Sequence, residues 1–126
     1  MSNAYNRRER EGGMATDETP TRKDVIDGLL LKLPGVVGKK LNRMDAWFVN
    51  DRMFACIGEK GVGLRLPVAQ ATELQFSRGD IEPFNPGGVQ VSREWVEIRR
   101  DNPADYAKDL PLLQAALEFV RNTRGR

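Results

Sequence analysis

Histidine is absent from this chain of 126 residues, and cysteine occurs once, as Cys56. Without histidine the chain lacks the commonest general acid/base and the commonest zinc ligand. A single cysteine cannot form an intramolecular disulfide. Without a histidine beside it, it cannot form a Cys/His nucleophilic pair or a structural zinc site either. Catalysis on carboxylates or lysines stays open, but its prior falls, and the chain is read as non-enzymatic, with no cofactor and no metal. Long apolar runs are missing too. No segment approaches a membrane span, and none joins a basic start to an apolar signal core. A cytoplasmic protein with no membrane partner is expected. Excess charge is also scarce: 20 Lys and Arg against 18 Asp and Glu leave +2, too little to imply nucleic acid by itself.

What is present is an ordinary soluble composition, 40% hydrophobic and 30% charged, at a length that suits one domain. Residues 1–18 are rich in Arg and Glu, contain Gly12-Gly13 and show no periodic apolar face. They read as a disordered arm. Ser2-Asn3-Ala4 resembles a vector-derived scar, and Met14 is a candidate internal start. Residues 19–126 read as a single α+β domain.

Thr21 and Asp24 have the spacing of a capping box, with Asp in place of Glu or Gln. Val25, Ile26, Leu29, Leu30 and Leu33 then fall on one helical face, and Pro34-Gly35 ends the helix. From Val36 to Leu66 the period changes to two. This predicts strands near 37–41, 46–49, 53–57 and 62–66, joined as an antiparallel meander. Asn50-Asp51 suits a type I′ hairpin turn. A regular hairpin there sets Phe48 opposite Met53 and Trp47 opposite Phe54. Ala46, Phe48, Met53 and Ala55 then share one face, and Trp47, Val49, Phe54 and Cys56 the other. Both faces are apolar, so both need cover.

Pro67 opens a second helix reaching about Ser77, with Ala71, Leu74 and Val68 inward and Gly79 as its C′ residue. Asp80 to Gly88 reads as a loop. Beyond it the parity of Val89 and Val91 differs from that of Val96 and Ile98, which predicts a bulge or break at Ser92-Arg93-Glu94. Asn102-Pro103 opens a short turn. Asp109 precedes a final helix whose Leu113, Ala116, Leu117 and Val120 have i, i+3, i+4, i+7 spacing. The element order is α-β-β-β-β-α-β-α, a two-layer sandwich of a mainly antiparallel sheet with helices on one side.

Four segments carry a resemblance. They are Trp47-Phe48-Val49-Asn50-Asp51-Arg52-Met53-Phe54-Ala55, Leu64-Arg65-Leu66-Pro67, Pro83-Phe84-Asn85-Pro86-Gly87-Gly88 and Arg93-Glu94-Trp95-Val96. Together, and in this order, they resemble the TfoX N-terminal domain family, which is related to the MmcQ/YjbR-like proteins. The likeness spans roughly residues 21–122. Leu41-Asn42-Arg43-Met44 departs from the family's Met-Phe-Gly-Gly, and Asp51 stands where the hairpin usually has Gly. The resemblance implies a two-layer α/β sandwich and no reaction. In multidomain bacterial relatives this domain accompanies regulators of competence.

The candidate sites follow. Trp47, Val49 and Phe54 are assigned to an interaction surface, on the argument that one apolar sheet face lacks helices. The expected partner there is a second copy of the chain, alongside an unidentified protein partner. Pro83, Phe84, Pro86, Gly87, Gly88 and Trp95 are assigned to a structural loop, since Pro86-Gly87-Gly88 lacks the spacing of a phosphate-binding loop. Asp101, Asp105 and Asp109 suit helix N-terminal positions rather than a metal. Cys56 reads as a small buried hydrophobe. Lys39, Lys40, Arg43, Arg65, Arg93, Arg99 and Arg100, with Trp47 or Trp95 to stack on bases, keep a nucleic-acid-associated accessory protein open. A small-molecule binder is the third reading, behind the regulatory or protein-interaction domain.

Overall fold

Two tight turns frame the sheet. Asn42 (φ 52°) and Arg43 (φ 70°) form one, Asn50 (φ 52°) and Asp51 (φ 65°) the other. Positive φ at both central residues is the type I′ signature, whose twist matches that of the strands it joins. The computed structural model describes residues 21–86 and 93–123. The arm at 1–18, the glycines Gly87 and Gly88, and Val89, Val91 and Ser92 lie outside these.

Helix α1 (Arg22–Leu30) starts on the expected capping box: the Asp24 N–H donates to Thr21 Oγ1 at 3.1 Å, and the Thr21 N–H donates back to Asp24. Strands β1 (Val36–Leu41), β2 (Met44–Val49), β3 (Arg52–Ile57) and β4 (Val62–Arg65) follow as a meander. Helix α2 (Val68–Ser77) leads to β5 (Ile81–Pro83), a three-residue strand inside the segment expected to be loop. Arg93 and Glu94 form a turn before β6 (Trp95–Ile98). A 3-10 segment (Pro103–Asp109), capped by the Asn102 side chain on Ala104 N–H, runs into α3 (Leu110–Asn122). Among the described residues six strands lie in the order β1-β2-β3-β4-β6-β5, every pair antiparallel. The class is α+β, in the order expected.

The second hairpin departs from regularity in a way that reassigns its faces. Val49 pairs Arg52 and Phe48 pairs Met53, but Trp47 pairs Ala55 and Ala46 pairs Cys56. Phe54 is the extra residue of a β-bulge, where two residues on one strand oppose one on the other. Phe54 and Ala55 therefore both reach the helix side, and Cys56 moves to the opposite face. The expected pairing of Trp47 with Phe54 does not form.

The main core lies between sheet and helices. Ile26 and Leu30 of α1, Ala71 of α2, and Leu113, Ala116, Leu117 and Val120 of α3 meet Trp47, Val49, Phe54, Leu64, Val96 and Ile98. Burying such side chains is the main favourable contribution to folding, roughly 1.5–3 kcal/mol for each large aliphatic or Phe residue. Two details of α2 differ from expectation. Val68 is exposed, because it sits on the first turn, away from the sheet. Gly79 is not a left-handed C′ residue, since the helix ends through an extended Arg78 at φ −132°. Among the described residues no helix is long and apolar enough to cross a membrane.

Candidate interaction edge

The helix side of the sheet cannot serve as a docking face. Trp47, Val49 and Phe54 are 1%, 2% and 0% exposed, which corrects their assignment to an interaction surface. The reason is local. The helices pack on the Trp47 face rather than the Phe48 face, and the Trp47 indole N–H donates to Asp27 Oδ1 of α1 at 2.9 Å. A charge at Trp47 would disrupt the core itself. The other face carries a smaller apolar cluster of Ala46, Phe48, Cys56 and Trp95, flanked by Met44, Met53 and Phe84.

That outer face is partly roofed by its own chain. Phe84, just beyond β5, donates its N–H to Trp95 O at 3.1 Å, and the two rings meet edge to face at 6.2 Å and 63°. Phe84 and Trp95 thus touch at the loop-to-strand corner. Pro83 closes β5 by pairing Val96, and Pro86 follows on the rim of a groove of about 730 Å³. Arg43, Met44, Gly58, Lys60, Phe84 and Glu97 also line this groove. Glu97 is buried, and its Oε2 accepts from the N–H groups of Lys60 (2.9 Å) and Gly61 (2.8 Å). It ties down the turn between β3 and β4. In the sequence its only mark is a carboxylate between Val96 and Ile98.

The titratable candidates are taken up by structure. Asp109 is buried and makes no capping bond to α3, contrary to expectation. It accepts instead from Arg78 Nη1 (3.0 Å), Arg100 Nε (3.0 Å) and Arg100 Nη2 (2.8 Å). Arg78 also holds Asp80 through two bonds, of 3.0 and 2.8 Å. The Arg78 hydrogen bond lowers the Asp80 pKa, with burial opposing it. This cluster joins the ends of α2 and β6 to the start of α3. Burial, with help from the Glu97 charge, pushes the Cys56 thiol up to about 12. A thiol so protonated is a poor nucleophile. Among the described residues no group of three or more acids or cysteines is placed to hold a metal.

Several of the basic candidates are paired with acids or rest on an aromatic ring. Lys40 pairs Asp45, Arg65 pairs Glu94, Arg99 pairs Glu82, and Lys39 lies 4.5 Å from the Phe48 ring centre. Trp47 and Trp95 are buried, so neither offers a face for a base to stack on.

Comparison with protein-family models, curated proteins and solved structures finds no match. The chain's own geometry therefore carries the functional reading.

One feature of the surface is concentrated. Leu31, Val37 and Leu41 are 51%, 56% and 42% exposed, and all three border β1. Val37 and Leu41 belong to the strand, and Leu31 reaches to within 3.6 Å of where a Gly38 Cβ would stand. β1 is an end of the sheet, and among the described residues nothing pairs on its outer side. The opposite end, β5, is only three residues long and finishes in Pro83, a residue that cannot donate to a further strand. The sequence offered little signal for this edge, because Lys39 and Lys40 break the apolar run there.

Proposed function

We propose that this chain is a non-enzymatic regulatory or protein-interaction domain of the kind its hairpin resembles, that of the TfoX N-terminal family. The observation that carries the reading is the grouping of three exposed large apolar side chains, Leu31, Val37 and Leu41, around a sheet edge that is open among the described residues. An unpaired edge flanked by apolar surface is a template for strand addition, and proteins normally blunt such edges when they serve no partner. The lack of histidine and the protonated, buried Cys56 support a role without catalysis.

The test is capture from lysate of the source organism on immobilised chain and on its Leu41→Glu variant, with bound proteins identified by mass spectrometry. A protein held by the parent and lost from the variant is expected. Retention of no protein, or equal retention by both, would count against the reading. A small-molecule binder is the second reading, favoured by the groove beside Phe84 and Glu97. A rise in melting temperature with one compound of a metabolite library would favour it, because a ligand bound only to the native state adds apparent stability.

A further inference from the structure

We infer that the β1 edge pairs with the β1 edge of a second copy of this chain, antiparallel and centred on Gly38. The inference rests on the interaction-domain reading and names its partner. Backbone geometry selects the register. The two-residue turn at Asn42-Arg43 makes Leu41–Met44 a hydrogen-bonded pair, and the antiparallel ladder then alternates. Lys39 and Val37 face β2 with their main-chain groups, whereas Lys40 and Gly38 turn theirs outward. Val36 also turns outward, with its N–H drawn to Leu33 O at 3.4 Å and its carbonyl left for a partner. A twofold axis through the Gly38 pair lets each Gly38 N–H meet the other Gly38 carbonyl. Each Lys40 N–H then meets the partner's Val36 carbonyl.

Electrostatics agrees with this register. With Gly38 opposite Gly38, Lys39 lies opposite Val37 and Lys40 opposite Val36, so no lysine faces a lysine. Moving the axis by one residue to Lys39 sets the two Lys39 side chains directly against each other, and like charges directly opposite are destabilising. The lysines thus reject the registers centred on Lys39 and Lys40 and suit this one, a use of edge charge for selection as well as protection. Sterics agree too. Gly38 has no side chain because the Trp47 indole lies under it, its Nε1 3.3 Å from the Cβ position. That leaves the helix side of the central pair open for the two copies of Leu31 to meet. On the other side each Val37 packs against the stem of the opposing Lys39. One continuous sheet results, with both sets of helices on the same side.

Charge variants at Val37, an exposed site, test the register without touching the core. The dissociation constant is measured by sedimentation equilibrium on the full chain, with circular dichroism to verify folding. Val37→Lys sets lysine opposite Lys39 twice per dimer and should weaken association about tenfold. Val37→Glu should tighten it, and Val37→Lys with Lys39→Glu should restore it. A mass of 14.2 kDa at every concentration overturns the inference, as does a dimer that responds equally to both Val37 charges. Either result leaves the broader reading to the capture experiment, which fails on its own terms if nothing is retained.

Discussion

Gly63 and Phe84 are fitted to one another across the outer face of the sheet. A Cβ on Gly63 would lie 2.7 Å from Phe84 Cδ2 and 3.1 Å from Cys56 Sγ, so the ring rests where a side chain would stand. Gly63→Ala should therefore lower stability by about 1–3 kcal/mol, as overpacking does. Phe84→Ala should also destabilise, by less than the about 3–5 kcal/mol of a fully buried Phe, because Phe84 is half-buried. The double variant should lose less than the sum. Urea midpoints decide it, and strict additivity would disprove the contact.

Asp109 should be the most costly carboxylate to neutralise. Asp109→Asn removes the negative charge that Arg78 and Arg100 share and turns one acceptor oxygen into an N–H donor beside a guanidinium, although both guanidinium groups keep partial access to water. The expected loss is on the order of 2 kcal/mol, set by charge-assisted hydrogen bonds rather than by a fully buried pair. Asp101→Asn, at an exposed site, is the control and should change the urea midpoint little.

The same cluster sets an acid limit. The folded-state pKa of Asp80 is lowered, so its contribution is complete above the unfolded value of about 3.9 and fades as pH falls through the folded one. Melting temperature should drop below about pH 4, and Asp80→Asn should flatten that drop. An unchanged acid slope in the variant would remove Asp80 from the account.

Cys56 acts at the other end of the scale. Its folded pKa of about 12 exceeds the ordinary 9.0, so the unfolded chain loses the thiol proton first. Stability should decline as pH rises from about 9 towards 12, and less so in Cys56→Ala. A disulfide thiol reagent at pH 8 should react slowly with native protein and fast in urea. Equal rates would show the thiol to be accessible.

Arg43 holds φ 70° at a position where glycine rests without strain. Arg43→Gly should raise the urea midpoint, by up to about 1 kcal/mol of stability, as left-handed strain is relieved. A lower midpoint for Arg43→Gly would show that the Arg43 side chain is needed.

The helices were legible because their signals are local. Thr21 with Asp24, and the spacing of Leu113, Ala116, Leu117 and Val120, depend on neighbours within a turn or two. The hairpin turn at Asn50-Asp51 was legible for the same reason. Asp109 was misread as a cap because the arginines that claim it come from the ends of α2 and β6, distant in sequence. The place of β1 at the end of the described sheet was hidden, since no pattern within Val36–Leu41 says which strand ends it.

By itself the sequence determined the element order, the antiparallel meander and the two apolar faces of its hairpin. Periodicity and turn chemistry are properties of short stretches, and they survive without the rest of the chain. Tertiary structure decided which face the helices cover. Parity along a strand is a two-way choice that a single inserted residue reverses, and the bulge at Phe54 is that insertion. It sent Ala55 to the core and Cys56 to the outer face, while Trp47, anchored to Asp27, lies in the core under the helices.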